Sequence, residues 1–223
     1  MTPLVEKQGV PEMNESKDDR SNCNAMKKDR KLRAFLCIKY SFDFLFSLFL
    51  LIILLLPLLL IALLIRLDSP GPALFTQTRV GQYGKTFKVY KFRTMYQSAP
   101  HDMPTSQFND ADRYITRLGA FLRKTSLDEL PQLLNVLRGE MSFVGFRPVC
   151  TTERKLNALR AQYGVFDCRP GITGLAQVQG RDDLYYKDKA KVDAEYARKR
   201  SIKLDLHCLI KTIPVTLTQK GAK

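Results

Sequence analysis

Asp128 and Glu129 stand side by side in the run Ser126-Leu127-Asp128-Glu129-Leu130-Pro131-Gln132, with Arg123 and Lys124 before them and Arg138 and Arg147 after. Adjacent acids in a basic setting suit chemistry on a phosphate. An ionised aspartate is a nucleophile toward phosphorus. A neighbouring acid can hold a hard cation such as Mg²⁺ together with phosphate oxygens. Arginines bind those oxygens bidentately, and Arg123, Arg147 and Arg169 lie beside turn or motif residues where they could do so. A purely structural reading competes. Ser126-x-x-Glu129 matches a capping box, and acids in a first helical turn are favoured by the helix dipole. The residues alone leave both readings open.

The elements that must position the pair can be read from periodicity. Leu127, Leu130, Leu133, Leu134 and Leu137 fall on one helical face, which predicts a helix over 126–138 stopped by Gly139. Residues 73–80 and 85–95 read as two strands around Gly81-Gln82-Tyr83-Gly84. That Gly-x-x-Gly could clamp a nucleic-acid backbone, but no suitable helices flank it, so a plain hairpin turn is the better reading. Residues 97–109 read as a loop, and 111–124, 153–163 and 186–200 as helices. Residues 204–217 form an apolar, amphipathic piece suited to a membrane interface or to packing on the core. The fold class is α+β and mostly helical.

The 223-residue chain carries a net charge of +14 and a nearly unbroken apolar run from Phe42 to Ile65. Such a run is long enough for a hydrocarbon core of about 30 Å. It begins too deep in the chain, and is too long, for a cleavable leader. Pro57 near its middle should kink or break the helix, which leaves two topologies open, a kinked span or a re-entrant dip. Lys27-Lys28-Asp29-Arg30-Lys31-Leu32-Arg33 would sit at an anionic cytosolic leaflet. Residues 1–26 are polar and of mixed charge and are expected to be disordered. The division expected is 1–30 as an extension, 31–68 as the membrane helix and 69–223 as the cytosolic domain. Five scattered cysteines without CxxC spacing argue against a disulfide framework or a zinc site. A binding module for nucleic acid has no use for an acidic pair within its basic surface, because acids repel phosphate unless a metal intervenes.

Several separated runs, in order, resemble the bacterial sugar transferases, the monotopic phosphoglycosyl transferases that start glycan assembly on a polyprenol-phosphate carrier. They are Lys91-Phe92-Arg93-Thr94-Met95, the Asp128-Glu129 run above, 135–145 (NVLRGEMSFVG), Arg147-Pro148, and 169–178 (RPGITGLAQV). The resemblance covers about residue 39 to the C-terminus. It implies that Asp128 attacks a UDP-sugar to form a covalent phosphosugar intermediate, which polyprenol phosphate then takes. Glu129 would bind Mg²⁺ or handle protons, Asp128 and Glu129 together would be the metal ligands, and Arg123, Arg147 and Arg169 would hold substrate phosphates. It further implies a re-entrant helix broken at Pro57, a plasma-membrane location with the domain on the cytosolic face, and a role in exopolysaccharide, capsule or related glycan synthesis. The implied partners are UDP-sugar, polyprenol phosphate and anionic lipid, not nucleic acid. A homo-oligomer and downstream glycosyltransferases are further candidate partners. Two positions depart from the family pattern. Phe146 replaces a proline, which predicts a looser loop around Arg147 and keeps alive the alternative of a catalytically weak homologue acting as a membrane-tethered binding or regulatory module. Leu56 replaces a serine before Pro57, which predicts a shallower break or one satisfied by other groups.

Overall fold

The computed structural model describes residues 15–99, 111–180 and 185–218. The calls for residues 1–14, and most of the loop expected over 97–109, therefore lie outside the described residues. The chain forms two compact units, 1–38 and 39–223. Helix α1 (Glu15–Ile53) begins in the first and ends in the second. It starts within the stretch expected to be disordered. Extending an existing helix costs far less than nucleating one. Among the described residues one helical segment, Asp29–Ile53, is long and apolar enough to cross a membrane.

Leu54 alone separates α1 from α2 (Leu55–Asp68). Pro57 is the third residue of α2, in the first turn, where a missing N–H removes no intrahelical bond. Much of both arms is bare. Phe42, Phe49, Ile52, Leu56, Leu59 and Leu67 are exposed large apolar side chains. The covered face of α2 carries Ile65, packed with Phe92 and Leu122 and flanked by Leu58, Ile61 and Leu127. The carbonyls at the end of α2 are bound by Arg93. Its Nη2 donates to Ile65 O at 3.2 Å and Ser69 O at 2.6 Å, and its Nη1 to Pro70 O at 2.8 Å. A buried cation thus closes a helix C-terminus, where the dipole favours it.

Strands β1 (Leu74–Val80) and β2 (Thr86–Phe92) pair antiparallel, Leu74 opposite Phe92 and Val80 opposite Thr86. The hairpin expected around Gly81–Gly84 is present, and its turn needs positive φ at Tyr83 and Gly84. The helix expected over 111–124 is split. A 3₁₀ turn (Ala111–Tyr114) is followed by an extended Ile115 bridged to Met95, and then by α3 (Arg117–Thr125). Thr116 caps α3, its Oγ1 accepting from Gly119 N at 2.9 Å.

Two three-residue strands escape a sequence reading that needs about four residues to see alternation. β3 (Ser142–Val144) and β4 (Gly171–Thr173) run parallel, with α4 (Leu133–Leu137) before β3 and α5 (Arg154–Gln162) between the two. Their glycines allow direct backbone contact: a Cβ on Gly171 would lie 2.1 Å from Gly145 N. Helices α6 (Leu175–Gln179), α7 (Tyr186–Lys199) and α8 (Ile202–Thr218) complete the unit. The largest core cluster joins Val144, Phe146, Val165, Leu175, Tyr196 and Cys208. Cys208 turns α8 into this core, while Ile202, Leu206, Ile210 and Ile213 on the same helix stay exposed.

Candidate active site

The pair does not sit on the expected α-helix. Ser126 ends α3 in the left-handed region (φ 57°, ψ 17°), and Leu127–Gln132 form a 3₁₀ helix. Pro131 has no N–H to give Leu127 O, so an α-helical turn cannot close there. The α-helix resumes only as α4. The buried positions are accordingly Leu133, Asn135 and Val136 rather than the full leucine stripe. The capping box does not form. Ser126 makes no side-chain cap, and the Glu129 carboxylate turns away to meet Lys91 and Arg147.

Asn135 fixes this segment against the hairpin. Its Oδ1 accepts from Tyr90 N at 3.1 Å and its Nδ2 donates to Lys88 O at 2.7 Å, so the amide completes the free edge of β2 as a strand would. That seating places Glu129 beside Lys91. Lys91 Nζ donates to Glu129 Oε1 at 2.7 Å, and Arg147 Nη2 donates to the same oxygen at 3.0 Å. Arg123, on α3, is steered by its Nε bond to Thr94 Oγ1 at 2.8 Å. Gly119 lets α3 lie against that residue: a Cβ there would be 2.1 Å from Thr94 O. Lys91 and Thr94 were not singled out as site residues by sequence. The available signal was a lysine and a threonine flanking the end of a strand that otherwise delivers apolar side chains to the core.

The two acids live in different fields. Burial pushes Glu129 up, but Arg147 and Lys91 outweigh it and hold its carboxyl well below the usual carboxylate range. Burial likewise pushes Asp128 up. There it prevails over Lys91, Arg123 and Arg147, helped by the charge of Glu129. Among the described residues no hydrogen bond or ion pair engages the Asp128 carboxylate. One acid is clamped by two cations and the other stands free beside them, an environment that separates two carboxylates into two roles. Away from the acids, burial pushes the core thiols Cys168 and Cys208 up to about 11.

A profile of the family described as "Bacterial sugar transferase" matches residues 34–219. The chain belongs to the bacterial sugar transferases. It is 38% identical over 198 residues to the exopolysaccharide production protein ExoY of Sinorhizobium fredii, an alignment spanning 82% of this transferase and 87% of that protein. It is 43% identical over 169 residues to the UDP-glucose:undecaprenyl-phosphate glucose-1-phosphate transferase of Caulobacter vibrioides (72% of this chain, 62% of the relative). It is 39% identical over 166 residues to the undecaprenyl-phosphate galactose phosphotransferase of Salmonella typhimurium (68% and 35%). The transferase thus spans most of the first relative, but less than two thirds of the second and about a third of the last.

Of the residues singled out by sequence, Asp128, Glu129, Arg123 and Arg147 come together in this transferase. Arg169 packs against α1. Its guanidinium stacks 3.8 Å above the Tyr40 ring of α1, beside Gly139. Arg138 stacks on Tyr90 and bonds its hydroxyl. Phe146, where the family pattern has a proline, is 1% exposed and packs against Phe166.

Proposed function

We propose that this transferase moves a phosphosugar from a UDP-sugar to polyprenol phosphate through Asp128. The observation that carries the reading is the Asp128 carboxylate, without a hydrogen bond or ion pair among the described residues, in the field of Lys91, Arg123 and Arg147 and next to a Glu129 already neutralised by two of them. Asp128 attacks the β-phosphorus, the bond from that phosphorus to the bridging oxygen breaks, and UMP departs with the bond's electrons. The carrier's phosphate oxygen then attacks the phosphorus of the aspartyl phosphosugar. Asp128 is released as a carboxylate, and polyprenyl diphosphate-sugar is formed. The cations hold the phosphate oxygens as charge shifts among them. The names of the relatives support a UDP-sugar donor and an undecaprenyl-phosphate acceptor.

The Mg²⁺ implied by the resemblance is compatible with the donor set. Among the described residues no three His, Cys, Asp or Glu side chains converge, which argues against an all-protein cage. Mg²⁺ instead takes one or two carboxylates plus substrate phosphates and water. Asp128 offers a free carboxylate, and both hydrogen bonds to Glu129 fall on Oε1. When bound, the ion would neutralise diphosphate charge. Incubation with a UDP-sugar in the absence of acceptor should add one phosphosugar mass to the intact protein while UMP is released. UMP release with no protein adduct at any time point would exclude the covalent route.

The membrane part is read as re-entrant, with the domain on the cytosolic face. Both arms rest on the same unit. On α1, Lys39 pairs with Asp205 at 2.7 Å and Asp43 Oδ1 accepts from Phe143 N at 3.3 Å; on α2, Ile65 and the carbonyls after it are held by Phe92 and Arg93. The 14 residues of α2 reach about 21 Å, short of a bilayer core of about 30 Å. The exposed apolar face of α8 suits the interface beside them, in contact with anionic lipid. In intact cells, a maleimide that does not cross the membrane should leave Cys23 unlabelled in a Cys37→Ser background until the cells are opened. Labelling from outside would instead mean a span.

A further inference from the structure

Arg160 and Asp193 form an ion pair that the chemistry of the acids does not use. Arg160, on α5, is 0% exposed, and Asp193, on α7, is 2% exposed. Arg160 Nε and Nη2 donate to Asp193 Oδ2 at 2.9 and 2.6 Å, and the remaining arm, Nη1, donates to the backbone carbonyl of Arg147 at 3.0 Å. The guanidinium also lies 5.1 Å over the ring of Phe146. Desolvating two charges is expensive, and apolar side chains of similar volume usually serve packing as well or better. A pair kept at this depth needs a task that depends on direction. Among the described residues, the backbone group that its fork holds is the carbonyl of the residue whose side chain clamps Glu129.

We propose that Arg160, braced by Asp193, is a positioning residue that aims Arg147 at Glu129, with Phe146 as the platform beneath it. The connection runs from Asp193 through Arg160 to the Arg147 carbonyl, and from the Arg147 guanidinium to Glu129 Oε1. Phe146 stands where the family pattern has a proline. Its buried ring, its bridge to Pro170 and the bond from Gly171 N to its carbonyl at 2.9 Å supply the rigidity that a proline ring would give. The inference rests on the reading of Arg147 and Glu129 given under the proposed function.

The test is a double-mutant cycle on the full chain in detergent, following UMP release from UDP-glucose or UDP-galactose with undecaprenyl phosphate. Arg160→Lys keeps a charge for Asp193 but cannot also reach the Arg147 carbonyl. It should lower kcat up to about 100-fold, the scale of an ångström's misplacement, with donor KM changed less than kcat. Combining it with Arg147→Lys should cost no more than Arg147→Lys alone, because both break one connection. Phe146→Leu, which leaves the ion pair intact, should show the same non-additivity and serves if Arg160→Lys does not fold. Tyr196→Phe removes different bonds, from Tyr196 Oη to Val144 O and Asp205 Oδ1, and should lower Tm while leaving kcat within about twofold. Losses that multiply in the cycle, or a Tyr196→Phe enzyme that loses kcat in step with its Tm, would overturn the positioning role alone. Full activity in Arg147→Lys would remove the reading of Arg147 and this inference with it.

Discussion

Asp128→Asn should abolish UMP release, by at least about 10⁴-fold in kcat, the scale seen when a nucleophile is removed, and the protein should become more stable. The rate loss follows from removing the attacking carboxylate, and the gain in stability follows from that carboxylate's surroundings. Burial and the neighbouring Glu129 charge raise the Asp128 pKa against the pull of Lys91, Arg123 and Arg147. The folded state therefore disfavours the ionised form, and at neutral pH that charge costs stability which Asn does not cost. The sign can be checked. As pH falls through the raised pKa, wild-type Asp128 takes up its proton in the folded state and the Tm advantage of Asp128→Asn should shrink. A variant with near-normal UMP release would end the covalent mechanism. A variant inactive but less stable at every pH would mean that Asp128 is a structural partner rather than a free carboxylate.

The sequence made the parts of this site visible and their arrangement only partly so. The hairpin was legible because alternating burial and a Gly-x-x-Gly turn are local signals. The helices expected over 153–163 and 186–200 are present as α5 and α7 within a residue at each end, and the amphipathic piece at 204–217 is α8, while the short α6 was not foreseen. The helix over 126–138 was misjudged because leucine spacing was weighed above Pro131. The capping box failed for its own reason: Ser126 sits in the left-handed region at the end of α3 and makes no side-chain cap. Lys91 was hidden for a different reason. It meets Glu129 only because Asn135 sutures residues 127–137 to the edge of β2, a side-chain-to-backbone pairing 45 residues apart that no periodicity encodes. The three-residue strands and the Arg160–Asp193 pair are likewise long-range products of packing. Arg169 shows the reverse case: its motif is plain, yet its partner is an aromatic ring on the membrane helix.

Glu129→Gln should damage both fold and function, in contrast to Asp128→Asn. Glu129 accepts from Lys91 and Arg147 with a side chain only 16% exposed, so the amide leaves two partly buried cations without their counter-charge. Breaking such a pair costs about 3 kcal/mol when the site is well desolvated. The direction with pH follows from the depressed pKa. A depressed folded pKa gives stability that is fully present above the unfolded carboxylate value of about 4.3, and that is lost as pH falls below it toward the folded value. The Tm gap between wild type and Glu129→Gln should therefore stay constant from pH 8 to about pH 5 and narrow only in stronger acid. A gap that closes by pH 6 would show that Lys91 and Arg147 do not hold the carboxylate ionised. UMP release should fall by about 100-fold or more, since the two cations proposed to hold the phosphates lose the group that aims them. Glu129→Asp separates charge from reach. It keeps the negative charge but retracts it by one methylene from both partners, so it should recover most of the stability and little of the rate. Recovery of rate without stability would instead assign Glu129 to the chemistry itself, as a proton or metal ligand, rather than to the aiming of Lys91 and Arg147.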